Sequence, residues 1–168
     1  MGVTPRGIEP RAAYAVSLAP FHPNQTTRHP VTELVDKMRR HIPPFMQLLG
    51  VELVSVALDR IEARLVVRDD MGNGSGILHG GVYMSFADYL GAIGTVVNLP
   101  KGASTTTMES KTNFFRPAMT GNTIVGVSTP LHKGRRTMVW QTRLASPDDK
   151  MLALITQTQM VIPAEDKR

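Results

Sequence analysis

The segment Asn73-Gly74-Ser75-Gly76-Ile77-Leu78-His79-Gly80-Gly81 runs straight into an apolar stretch, residues 82–99, whose single charged residue is Asp88. It sets an amide and an imidazole beside glycines at what should be a helix start. The first turn of a helix has unpaired N–H donors and a partial positive charge, which suits a carbonyl oxygen gaining negative charge. A lone carboxylate on a packed helix is unfavourable to bury unless it is satisfied, and acid–base work is one reason to carry it. These are the parts of a hydrolytic site for an activated acyl group. Nine residues of helix span about 13 Å, so His79 and Asp88 of one chain cannot both touch one carbonyl carbon. If they act together, they come from two copies of the chain related by a two-fold axis.

Those residues need elements to hold them. Residues 31–41 place Val31, Leu34, Val35 and Met38 on one helical face, and Pro43-Pro44 ends that helix. A short apolar piece, 45–49, follows. Residues 51–58 and 60–68 are two strand candidates around Asp59, the second alternating Ile61, Ala63, Leu65 and Val67 with charged residues. The glycine-rich loop 69–80 leads to a helix over roughly 81–98, bounded by Pro100. Four more strands are expected near 103–115, 121–132, 135–146 and 151–161, with Lys133-Gly134 as a tight hairpin. Two strands, one long apolar helix and four strands describe an α+β domain whose antiparallel sheet must cover the helix.

The 168 residues are enough for one domain with an N-terminal extension, and 42% hydrophobic residues allow a core. The chain has no cysteine, which excludes disulfides, thiolate metal sites and a Cys nucleophile and fits a reducing cytoplasm. The formal charge of +5 favours anionic partners, but the basic residues are scattered and lack aromatic interleaving, which argues against nucleic acid. Residues 1–30 hold five prolines and no uninterrupted apolar run of the length a secretory signal needs, so a disordered extension is expected there, with the domain over 31–168. Asp88 in the middle of residues 82–99 argues against a membrane span. His22, His29, His41 and His132 have no metal-ligand spacing, and no metal is expected.

In order and spacing, Asn73, His79-Gly80-Gly81, Asp88, Gly91, Thr107, Asn113-Phe114-Phe115-Arg116-Pro117, Gly121 and Lys133-Gly134-Arg135-Arg136 resemble the hotdog-fold acyl-CoA thioesterases of the phenylacetate-pathway (PaaI-type) branch. The resemblance covers about residues 45–162. It implies a hotdog fold, in which an antiparallel sheet wraps a long central helix, and a homodimer that joins sheets, with a tetramer of paired dimers as the further possibility. It also implies cleavage of acyl-CoA to a carboxylic acid and free CoA, with no cofactor beyond the CoA of the substrate. The alternative is a non-catalytic module of the same fold that binds acyl-CoA as a sensor or partner subunit.

Within that reading Asp88 is the general base or, second, a nucleophile. Gly81 or Gly80 supplies the backbone N–H for the oxyanion, since a glycine lets the thioester come close. The resemblance assigns Asn73 to polarising the carbonyl or orienting water, and Thr107 to holding the nucleophilic water. His79 orients the carbonyl or the loop. Met84, Tyr83 and Phe86 are expected to line an acyl pocket. Arg116, Lys133, Arg135 and Arg136 are candidates for the CoA phosphates, which guanidinium forks grip bidentately.

Overall fold

The structure is a computed structural model that describes residues 31–164; the extension expected over 1–30 lies outside the described residues. Its elements are α1 (Val31–Arg39), α2 (Pro44–Leu49), β1 (Glu52–Val56), β2 (Ile61–Val66), α3 (Gly80–Val96), β3 (Ser104–Phe114), β4 (Thr123–Lys133), β5 (Thr137–Ala145) and β6 (Met151–Ile162). A three-residue 3-10 turn, Asp69–Met71, opens the loop before α3. α1 ends at Arg39, short of Pro43, and Pro44 begins α2, because a proline's fixed φ and missing N–H suit the first turn of a helix.

The six strands form one antiparallel sheet in the order β1-β2-β4-β5-β6-β3. This is the hotdog fold: the sheet curves around α3 and buries most of it. Inward residues alternate as a pleated strand requires: Ile61, Ala63 and Leu65 on β2, Ile124 on β4, Trp140 and Leu144 on β5, Ile155 on β6. Apart from Trp140, which packs against Gly94, they close on Tyr83, Phe86, Ala87, Leu90 and Ile93 of α3. Among the described residues no helix is long and apolar enough to cross a membrane.

Two features of this packing position the site. The long β3 is an edge strand, and its inward face is polar where it meets the helix: Thr105, Thr107, Ser110 and Thr112 stand opposite Val161, Gln159, Gln157 and Ile155 of β6. A bulge between Thr107 and Glu109 interrupts that ladder beside Asp88. An extra residue in one strand re-aims the side chains next to it. The second feature is the close approach of α3 to β5. A Cβ added at Gly94 would stand 2.7–2.8 Å from three ring carbons of Trp140. That indole is fully buried, and its Nε1 donates to Thr95 Oγ1 (2.9 Å), so the ring cannot yield.

Gly94→Ala therefore tests how tightly the sheet grips α3. Alanine favours helix by about 1 kcal/mol, but overpacking a rigid core is unfavourable by about 1–3 kcal/mol. The variant is expected to show no gain in stability and a lower denaturant midpoint; a midpoint above that of the parent would mean the helix sits more loosely than described.

Candidate active site

The loop before α3 is held by its own backbone. Asn73 N–H donates to Ile77 O and His79 N–H to Met71 O, both at 2.9 Å, while Leu78 N–H donates to Ala118 O. Asn73 Oδ1 accepts from Ser75 N–H (3.1 Å), a turn that uses the amide oxygen and leaves Nδ2 without a partner among the described residues. Gly74 and Gly76, both with positive φ, let the chain double back.

His79 is the N-cap of α3, and its Nδ1 accepts the Gly81 N–H at 3.0 Å. An accepting Nδ1 leaves the hydrogen of the neutral ring on Nε2, which faces outward as a donor. The Val82 N–H is also taken, by His79 O at 3.0 Å. Of the two glycines, Gly80 therefore retains an unpartnered N–H among the described residues, while that of Gly81 is taken by the cap. Phe114 lies against it, with its ring 3.2 Å from where a Gly80 Cβ would stand. Tyr83 fixes the neighbouring loop: its hydroxyl accepts from Ala118 N–H (2.8 Å), and burial raises its pKa above the usual phenol value.

Asp88 lies two turns further along the same helix, half-buried, its side chain turned to β3. Thr107 Oγ1 donates to Asp88 Oδ1 at 2.7 Å. Gln157 Nε2 lies 3.2 Å from both that oxygen and the Asp88 carbonyl. Gln159 Nε2 donates to Thr107 Oγ1 at 2.8 Å, and Thr105 Oγ1 reaches Gln159 Oε1 at 3.1 Å. Thr107 thus spends its single hydrogen on the carboxylate, so it holds Asp88 directly and can meet a water only as an acceptor. Gln157 and Gln159 were not among the residues expected from sequence. They are 69 and 52 positions away from their partners Asp88 and Thr107, and in the sequence they are ordinary alternating strand residues.

The other expected residues divide. Met84, one turn before Asp88 on the same stripe of α3, is 40% exposed and can line an acyl pocket. Tyr83 and Phe86 cannot, because both point into the core; Phe114, 53% exposed, stands nearer the helix start. The basic residues do not converge. Arg116 is at the N-terminal end of α3, donating to Met151 O at 2.9 Å. The Lys133–Arg136 hairpin is at the other end, about 25 Å away along the helix. There Lys133 Nζ bonds Leu58 O and Asn98 Oδ1, both 3.2 Å, bracing the loop after α3, while Arg135 and Arg136 are exposed. Asn98, Pro100, Lys133, Gly134, Arg135, Met138 and Val161 line an open cavity of about 270 Å³; Asp88 does not reach it. Among the described residues no three His, Asp or Glu side chains are grouped to hold a metal ion.

A carboxylate fixed on a buried helix, a glycine N–H open at that helix's start and an imidazole donor beside it are equipment for acyl hydrolysis, and relatives of known activity share the frame. The Thioesterase superfamily model matches residues 75–153, a span that contains His79, Gly80, Asp88 and Thr107. Over those residues the chain is similar to the thioesterase superfamily. A crystal structure of a Haemophilus influenzae thioesterase superposes with a TM-score of 0.73 at 25% identity, covering 77% of this chain and 91% of that one. The E. coli PaaI protein from the phenylacetic acid degradation operon superposes at 0.70 with 22% identity and the same coverage, a likeness of fold. The 1,4-dihydroxy-2-naphthoyl-CoA hydrolase of Listeria monocytogenes is 24% identical over 108 residues, 64% of this chain and 87% of that protein.

The double role of His79 can be separated by substitution. His79→Ala removes the cap and should lower stability by about 0.5–2 kcal/mol. His79→Asn restores a capping side chain and should recover that stability, while still losing thioester hydrolysis with the outward ring donor gone. Thermal unfolding and turnover of both variants decide it; equal turnover in His79→Asn and the parent would reduce His79 to a cap.

Proposed function

We propose that this protein is an acyl-CoA hydrolase of the PaaI type and works as a homodimer, each site taking Asp88 from one protomer and the Gly80 N–H and His79 from the other. The observation that carries this is the placement of Asp88 and Gly80 on one rigid helix, eight residues and about 12 Å apart. The base and the oxyanion donor of a single chain cannot serve one carbonyl. The long, exposed edge strand β3 has a free row of backbone groups through which two sheets can join. The Listeria relative, a CoA-ester hydrolase by name, supports the substrate class.

In this mechanism the Asp88 carboxylate takes a proton from water as the oxygen attacks the thioester carbon. The carbonyl oxygen becomes an oxyanion that accepts from Gly80 N–H and, beside it, His79 Nε2–H. Collapse breaks the C–S bond, the proton passes from Asp88 to the leaving CoA thiolate, and the acid departs. Asn73 Nδ2 is available to orient the carbonyl or water. Met84 and Phe114 suit an apolar acyl group, aryl or medium aliphatic. Arg135 and Arg136 are free to meet CoA phosphates; Lys133 is already engaged.

Asp88→Asn should keep the fold and lower thiol release from CoA esters by about 10²–10⁴-fold, the usual contribution of a general base. Saturable acyl-CoA binding by the parent chain without thiol release would instead identify a binding module. Subunit mixing tests the shared site. Gly80→Pro removes the N–H at the first helical position, where proline is accepted. Random pairing of inactive Asp88→Asn and Gly80→Pro chains makes heterodimers with one intact site, so about a quarter of the parental activity should return. Verified heterodimers with no activity would show that each chain works alone or not at all. Replacing both Arg135 and Arg136 with Ala should raise KM about tenfold for CoA esters but leave the matching N-acetylcysteamine thioesters unchanged; equal KM values for the CoA esters would move the phosphate contacts elsewhere.

A further inference from the structure

Gln157 and Gln159 are fully buried, and among the described residues they are the two large polar side chains in that class. A buried amide is retained without penalty only where each of its groups finds a partner. Gln159 has both within reach: its Nε2 donates to Thr107 Oγ1, and its Oε1 shares the Thr105 hydroxyl with Met160 O. Gln157 is partnered only through its nitrogen; its Oε1 has no partner among the described residues. As packing alone, a methionine of similar length would fit that place better, so the Gln157 nitrogen is the part that matters there.

Hydrogen-bond direction gives the two amides one outcome. An amide nitrogen can only donate. With Gln159 Nε2 donating to Thr107 Oγ1, the one Thr107 hydrogen is turned to Asp88 Oδ1. Gln157 Nε2 is aimed at the same oxygen. Two donors therefore converge on Oδ1, while Oδ2 has no partner among the described residues. The β3 bulge falls next to Thr107, and α3 carries Gly91 where the Gln157 amide lies against it: a Cβ there would be 2.6 Å from Nε2 and 2.7 Å from Oε1.

We infer that Gln157 and Gln159 are positioning residues that, directly and through Thr107, pin one oxygen of Asp88 and leave the other, Oδ2, as the atom that receives the proton of the attacking water. The inference rests on Asp88 acting as the base. Neither glutamine touches substrate; both act through the carboxylate, so their loss changes turnover rather than binding.

The test uses the full chain, with benzoyl-CoA and hexanoyl-CoA as probes and free thiol as the readout. Gln159→Glu exchanges the donor for a carboxyl oxygen, Gln159→Met removes it, and Thr107→Val removes the hydroxyl. Each is expected to lower kcat at least about tenfold with KM within about twofold, the pattern of a group that matters only in the transition state. Thr107→Ser should restore turnover to within about threefold of the parent, since it keeps the hydroxyl. Gly91→Ala, which displaces Gln157 without altering it, should lower kcat in the same way. Thr107 is exposed at the sheet edge, so its variants fold even where a buried glutamine variant does not. Independently of turnover, the side-chain amide ¹H–¹⁵N signals of Gln157 and Gln159 should both move in Asp88→Asn, and that of Gln159 in Thr107→Val. Parental kcat in folded Gln159→Glu and Thr107→Val, or amide signals indifferent to Asp88, would overturn the inference. A parent chain that releases no thiol, but whose amide signals do follow Asp88, would leave the network standing and remove the hydrolase reading instead.

Discussion

A carboxylate on a helix that a sheet wraps on most sides cannot be satisfied by water alone. The first consequence is that the sheet facing Asp88 must be polar there, against the apolar rule that holds elsewhere in its inner face. The inward positions of β2 are aliphatic, whereas those of β3 are threonine and serine, and β6 turns from Ala153 and Ile155 to Gln157 and Gln159 as it passes the carboxylate. The change happens within one strand, at the level of Asp88. Buried polar groups with matched partners specify a single arrangement more sharply than an apolar contact does, because a small displacement leaves each of them unsatisfied.

The second consequence concerns the edge. Placing β3 outermost leaves its inner face partly open, so Thr107 and the half-buried Asp88 are next to solvent although much of the helix that carries Asp88 is buried. An interior strand in that position would have sealed the carboxylate in the core, where a charge without full pairing is strongly unfavourable. The same placement exposes Met108, Phe114 and Phe115 along one long edge, a surface that isolated sheets normally shield. Access for a substrate and an edge suited to pairing thus arise from one topological choice.

What could be read in the sequence follows from how local each signal is. The central helix was legible because its apolar run, its glycine start and Pro100 lie within one segment; it begins at Gly80, one residue before the expected start. The hairpin at Lys133-Gly134 and the alternation of β2 were legible for the same reason. The resemblance covered the whole sheet, yet it could not foretell that Gly81 caps onto His79, since that depends on the ring's orientation. Lys133 was read as a phosphate ligand because charge shows in a sequence and engagement does not; its bonds to Leu58 and Asn98 join residues 75 and 35 positions away. Tyr83 and Phe86 are apolar residues on the right helix but on the wrong side of it, and only the packing of the sheet and its loops against α3 distinguishes their faces from that of Met84. Gln157 and Gln159 were illegible for a further reason: their partners are brought to them by the pairing of β3 with β6 and by the packing of α3 on that sheet, an assembly of non-local contacts.

The separation along α3 then decides what kind of site this fold can build. A helix is stiff over two turns, so no side-chain rotation in one chain brings Asp88 to the open Gly80 N–H. A loop-borne base could adapt to a single-chain site; a helix-borne one, clamped from β3 and β6, cannot. The fold gives up that adaptability and gains accuracy, since groups held on rigid elements keep their geometry better than groups on loops. On the reading proposed here, the missing half of each site is supplied by a second copy of the same helix. The distance that prevents a single chain from acting is then the distance that sets two equivalent sites apart.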